Sequence, residues 1–143
     1  MHTYIHKVRY YETDRMGITH HSNYIRWMEE ARLDFLEKIG WGLEKIEETG
    51  VVSPVVSITS SFKQTTTFPD EVEISVRVED VKGARLKLGY VMKNADGKTV
   101  FTASSEHCFT DSRGKVLRLD RQFPELFEAL CAAREQQDMD SCR

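Results

Sequence analysis

The chain has 143 residues, a formal net charge of −3, a hydrophobic fraction of 40% and 30% charged residues. That is the profile of one soluble globular domain, residues 1–143, and it excludes a disordered or membrane-embedded chain. No block of like charge offers a footprint for nucleic acid, no apolar run reaches membrane-spanning length, and the three cysteines Cys108, Cys131 and Cys142 form no CxxC spacing. The cysteines read as reduced thiols, and the N-terminus has no apolar signal region. The expectation is a cytoplasmic protein with no membrane anchor, disulfide framework or zinc site.

Thr3 to Tyr11 read as a first strand, with Tyr4, His6, Val8 and Tyr10 on one face and Ile5, Lys7, Arg9 and Tyr11 on the other. The chain then reaches Asp14, turns at Gly17, passes His20 and His21, and enters a helix from about Ser22 to Ile39. Tyr24, Met28, Ala31, Phe35 and Ile39 recur at alternating spacings of four and three, and Trp27 and Leu36 widen the stripe. Arg26 with Glu30 and Asp34 with Lys38 are i,i+4 pairs on the opposite face. Ser22 and Asn23 are N-cap types, and Gly40 follows as a C′ glycine. So wide an apolar stripe, with three large aromatics, predicts a helix wrapped by other structure.

Trp41 to Glu48 read as a second helix ended by Thr49-Gly50. From Val51 the period becomes alternating: Val56, Ile58, Ser60 and Phe62 share one face of a long strand, with Pro54 near its start. Phe68-Pro69-Asp70 is a turn. Val72, Ile74, Val76 and Val78 then alternate with charged residues, and after Lys82-Gly83-Ala84 come Leu86, Leu88, Tyr90 and Met92. Asn94 to Gly97 is a hairpin loop. Thr99 to Thr110 is the next strand, with Phe101, Ala103, Ser105, His107 and Phe109 on one face, and Val116 to Leu119 extends the sheet. Pro124 opens a short final helix carrying Leu126, Phe127, Leu130 and Cys131, and the polar tail frays after about Arg134. The fold class is therefore α+β: a strand, a long helix, a meander of about four antiparallel strands and a short C-terminal helix.

The run Tyr11-Glu12-Thr13-Asp14-Arg15-Met16-Gly17-Ile18-Thr19-His20-His21-Ser22-Asn23-Tyr24, followed by Glu30-Ala31-Arg32, resembles the active-site signature of hotdog-fold acyl-CoA thioesterases. The branch it resembles is that of 4-hydroxybenzoyl-CoA thioesterase and the Tol–Pal-associated enzymes. Phe68 to Ile74 looks like that family's turn into its third strand. The resemblance implies a central helix enclosed by a curved antiparallel sheet of about five strands, and a homodimer or homotetramer with active sites at the dimer interface. It places Asp14 at the catalytic carboxylate, His21 at a histidine implicated in some members, and Tyr10 or Tyr11 at a tyrosine there. Tyr11 is carried forward as the candidate.

Asp is common in turns, so Asp14 alone would read as a loop cap. With Gly17, His21 and a buried helix in the same stretch, catalysis is the stronger reading. Asp14 would attack a thioester either as general base for water or as nucleophile through a mixed anhydride. An amide near His21 or Ser22, at the positive end of the helix, would hold the oxyanion. Gly17, Ser22 and Tyr24 make up the oxyanion and substrate-binding set. Lys63, Arg85 and Lys87, with Lys82, are the cations that could meet coenzyme A phosphates. Asp14, His20 and His21 are a poor metal trio, so no metal and no cofactor is expected beyond the coenzyme A of the substrate. Glu29 and Glu30 sit on the helix that carries the carboxylate in another hotdog branch, and read here as solvated or subunit-contacting groups. Tyr24, Trp27 and Phe62 read as core ahead of acyl pocket, and His107 and Cys108 point to opposite faces of one strand. The rivals are an acyl-carrier-protein thioesterase and a non-catalytic dimeric module that binds acyl thioesters.

Overall fold

The computed structural model describes residues 2–141, with side chains as far as residue 137; Cys142 lies outside the described residues. The first strand, β1 (His2–Lys7), is shorter than its alternation implies. Val8 still faces inward, but Tyr10–Glu12 coil into a 3-10 turn that ends the strand before the aspartate loop.

The long helix α1 (Ser22–Lys38) buries the expected stripe: Tyr24, Trp27, Met28, Ala31, Phe35 and Leu36 are all buried. Its end follows from Gly40, whose φ of 88° is open to glycine at little cost. There the Gly40 amide donates to the Glu37 carbonyl (3.0 Å) and the Trp41 amide to the Leu36 carbonyl (2.8 Å), the paired bonds of a Schellman stop. The N-terminus departs from expectation. Ser22 Oγ is bonded to His20 Nδ1 (2.8 Å) and Asn23 Nδ2 reaches back to the Glu12 carbonyl (2.9 Å), so neither caps the helix and His21 is the cap residue.

Helix α2 (Leu43–Thr49) closes at Gly50 as expected. The remaining strands are β2 (Val55–Phe62), β3 (Glu71–Lys82), β4 (Arg85–Lys93) and β5 (Thr99–Cys108). The sheet is entirely antiparallel, but its order is β1-β3-β4-β5-β2, so only β3, β4 and β5 form a meander. The segment 63–70 carries the chain from β2 at one edge across to β3 near the other. Alternation reports which residues share a face and is silent on which strand pairs with which. The inward face of β3, β4 and β5 supplies Val72, Ile74, Val76, Leu88, Met92 and Phe101, which pack against the α1 stripe in one core. β2 is different: every residue of it is exposed, including Val56 at 50% and Phe62 at 53%.

Val116 makes one isolated bridge to Thr110 in place of a strand, and Leu119–Gln122 form a single helical turn, α3. The last helix, α4 (Pro124–Ser141), spans 18 residues and is not short. Its polar tail has a docking point on the sheet. Val78 pairs with Leu88 on β4 and lies two residues past the last β1 pairing, His2 with Val76; the β3–β4 register then slips between Val78 and Asp80. There the Gln137 amide accepts from Val78 N–H (3.0 Å) and donates to Val78 C=O (3.3 Å), while Arg134 pairs with Asp80 at 3.1 Å. Among the described residues no helix is long and apolar enough to cross a membrane.

Candidate active site

The aspartate loop is built by backbone geometry. Thr13 and Thr19 form a bridge that closes it, the Asp14 amide donates to the Ile18 carbonyl (2.9 Å), and the Gly17 amide donates to the Asp14 carbonyl (3.0 Å). Gly17 takes φ 79°, which any side chain would strain. Two further bonds fix the loop to the crossing segment: Thr67 Oγ1 donates to the Gly17 carbonyl (2.6 Å) and the Thr19 amide to the Thr66 carbonyl (2.8 Å).

Between loop, helix start and the end of β2 lies an open cavity of about 250 Å³. Asp14, Met16, Ile18 and Thr19 form one wall, His21 and Tyr24 the helix side, and Phe62 and Lys63 the strand side. Asp14 is half-buried. Its Oδ1 accepts from the Met16 amide (2.8 Å), and no protein donor engages Oδ2 among the described residues.

The first amides of α1 differ in availability. Ser22 N–H is directed at His20 Nδ1 (3.3 Å) and Asn23 N–H donates to the His20 carbonyl (3.0 Å), whereas His21 N–H has no partner among the described residues. The oxyanion candidate therefore narrows to the His21 amide. The His21 ring packs edge-on against Phe62 at 6.5 Å and over the His20 ring at 4.2 Å. Tyr24 lies at the cavity floor, its hydroxyl bonded to Thr66 Oγ1 (2.9 Å), which in turn meets Thr19 Oγ1 (2.7 Å). Burial pushes the Tyr24 phenol above its ordinary value against the opposing hydrogen bonds of Thr66 and Thr19, so it acts as a neutral hydroxyl.

Of the residues singled out from the sequence, Asp14, His21, Tyr24 and Lys63 come together here, with Gly17 shaping the loop. Tyr11 does not join them. It is 82% exposed and Tyr10 is 77% exposed, because the 3-10 turn replaces the strand geometry that would have aimed one of them inward. Arg85 and Lys87 are also remote from this cavity within the chain. Arg85 pairs with Cys108 on β5, seven residues beyond Phe101, which pairs with Phe62, a distance of about 23 Å along the strand. Lys87 is instead beside Glu79 at 3.6 Å. Among the described residues no three side chains gather as a metal site, and the Asp14, His20, His21 trio does not converge.

Two polar clusters escaped the sequence reading. Glu12 is buried at 6% exposure, and Trp27 Nε1 (2.7 Å), His6 Nε2 (2.8 Å) and the Arg9 amide (2.7 Å) all meet its carboxylate. Burial works to raise its pKa, but those three bonds outweigh it and hold the carboxyl below its ordinary range. The sequence signal was available as a histidine and a glutamate six residues apart on either side of Val8, with Trp27 on the buried stripe. The second cluster lies toward the far end of α1, where Tyr90, Ser105 and His107 are bonded in series (2.9 and 2.8 Å) and all buried.

Residues 8–133 match the model of the thioesterase-like superfamily. The chain is 33% identical over 130 residues, 90% of its length and 94% of the relative's, to YneP of Bacillus subtilis (strain 168), named as a candidate acyl-CoA thioesterase. It is similar to the crystal structure of a DHNA-CoA thioesterase from Staphylococcus aureus: TM-score 0.90, 32% identity, 96% of this chain and 93% of that one. It is likewise similar to the hypothetical protein TT1821 from Thermus thermophilus: TM-score 0.85, 30% identity, 93% and 99% covered. A long buried helix against a five-stranded antiparallel sheet, an aspartate loop at the helix N-terminus and a match spanning nearly the whole chain agree: the protein belongs to the thioesterase-like superfamily and has its hotdog fold.

Proposed function

We propose that the protein is a thioester hydrolase that cleaves acyl-CoA to a free carboxylic acid and coenzyme A, with Asp14 as the catalytic group. The observation that carries the reading is the meeting, in one 250 Å³ cavity, of the Asp14 carboxylate with His21, whose amide has no protein partner among the described residues. In the general-base route Asp14 takes a proton from water as its oxygen bonds to the thioester carbonyl carbon. The carbonyl oxygen gains charge against the His21 N–H and the positive end of the 17-residue helix α1. Collapse breaks the C–S bond, and the proton passes from Asp14 to the departing thiolate. In the nucleophilic route Asp14 itself bonds the carbonyl carbon as the C–S bond breaks and the coenzyme A thiolate leaves. Water then cleaves the anhydride to the free acid and the Asp14 carboxylate, and the proton released goes to the thiolate. Met16, Ile18 and Phe62 give the acyl group an apolar wall, and Lys63 at the rim is the cation available to a coenzyme A phosphate.

The protein acts as a homodimer, paired through β2, and such dimers assemble further into a tetramer. This rests on β2 being an edge strand whose Val55, Val56 and Ile58 are uncovered, an arrangement that soluble chains ordinarily avoid or pair. β2 ends at Phe62 in the cavity wall, so pairing there would bring a second subunit to the site. The names of the Bacillus and Staphylococcus relatives support a coenzyme A thioester as substrate.

The test is thiol release from short, long and aromatic acyl-CoAs, 4-hydroxybenzoyl-CoA among them, by the native protein and by Asp14→Asn. A loss of about a hundredfold or more in the variant is expected. Equal turnover by the two proteins removes Asp14 from the chemistry, and hydrolysis of acyl-carrier-protein thioesters alone would change the substrate class.

A further inference from the structure

Among the described residues Glu12 is the only buried carboxylate, and it stands two residues before Asp14. Its three donors come from three places: the end of β1 (His6 Nε2), the turn (Arg9 N–H) and α1 (Trp27 Nε1). Its backbone carbonyl is engaged as well, accepting from the His20 amide (2.8 Å) and from Asn23 Nδ2 (2.9 Å). One residue thus ties the entry of the aspartate loop to the sheet and its exit to the helix. The loop's other bonds are internal or reach the crossing segment 63–70, most of which is exposed. His6 continues the chain outward: its Nδ1 lies 3.0 Å from Glu30 Oε2, to which Tyr4 also donates (3.1 Å), and its ring packs on Trp27 at 4.6 Å.

A buried charge is a costly way merely to fasten a loop, since an apolar contact would serve without desolvation. What a carboxylate adds is direction, because it accepts three hydrogen bonds and donates none. Glutamine in its place must turn an NH2 toward one of the three N–H donors.

We propose that Glu12 is a positioning residue for the hydrolysis. Held by Trp27, His6 and the Arg9 amide, it fixes the peptide from which Asp14 departs and so aims the Asp14 carboxylate at the carbon whose oxygen the His21 amide receives. The proposal rests on the reading of Asp14 as the catalytic group, and it assigns Glu12 no contact with substrate.

The experiment is a double-mutant cycle of Glu12→Gln with Asp14→Asn, with kcat and KM measured for each variant on one acyl-CoA. Glu12→Gln is expected to lower kcat at least tenfold with KM changed less than threefold. In the Asp14→Asn background the same change is expected to lower the residual rate less than twofold, since nothing remains to aim. An equal loss in both backgrounds makes Glu12 a general structural residue and overturns the proposal, as does a loss confined to KM. Asp14→Asn inactive with Glu12→Gln fully active overturns the positioning role alone, whereas Asp14→Asn at the native rate overturns the catalytic reading beneath it. Should Glu12→Gln not fold, Trp27→Phe removes the indole donor and keeps an aromatic. It is expected to reduce kcat about threefold to tenfold in the native background and less than twofold with Asp14→Asn. Equal losses in those two backgrounds, or no loss, would again overturn the assignment.

Discussion

Acidification below pH 6.5 should destabilise this protein through one histidine, His107. His107 is 1% exposed in the β5 wall beneath α1. Tyr90 OH donates to Ser105 Oγ and Ser105 in turn to His107 Nε2, while Nδ1 lies 3.4 Å from the Ser53 carbonyl. In that series Nε2 is an acceptor, so protonating it sets an N–H against the Ser105 hydrogen. Burial, helped by the Arg32 guanidinium and opposed by the Ser53 carbonyl, lowers its pKa from 6.5 to about 4. The folded value is the depressed one, so the contribution is intact above pH 6.5 and is lost as pH falls toward 4. Between pH 7 and pH 5 the two values give a loss of about 2 kcal/mol. Urea unfolding at pH 7, 6 and 5, on the native protein and on His107→Gln, measures it. The variant is less stable throughout but should show a flatter dependence by about that amount. Parallel curves for the two proteins would mean that His107 is not the group responsible.

Below pH 4.5 a second loss is expected from Glu12, whose folded pKa is lowered from that value, and Glu12→Gln should abolish this lower-pH limb in the same titration. Gly17→Ala meets no atom within 4 Å of the added carbon, yet forces a side chain into φ 79°; it should cost about 1–2 kcal/mol in urea unfolding, and an unchanged or raised midpoint would refute the strain argument. Ile58→Glu on the exposed β2 edge is expected to give a monomer by light scattering with an unchanged far-UV spectrum. A dimer that survives it would move the interface elsewhere.

The local sequence was sufficient for the elements whose determinants are short-range. The 3.6-residue stripe from Tyr24 to Leu36, the glycine stops at Gly40 and Gly50, and the alternation through β3 and β4 each follow from side chains within a few residues of one another. So did the aspartate loop, because Gly17 and its neighbours carry their own turn chemistry, and the signature around Asp14 stood in one unbroken run. Decisions that depended on distant partners were not legible. Strand order required knowing that 63–70 crosses from one sheet edge to the other, and α4 outran its apolar stripe as Gln137 and Arg134 bonded Val78 and Asp80 on β3. Tyr11 and Arg85 fit a functional pattern in sequence but do not line the cavity once the 3-10 turn and the strand register fix their directions. Glu12 and His107 are the converse. Each is an unremarkable polar residue in the sequence, and burial and partners supplied by other elements shift its pKa. Periodicity and turn chemistry are properties of neighbours in the chain, whereas hydrogen-bond partners and desolvation are properties of neighbours in space.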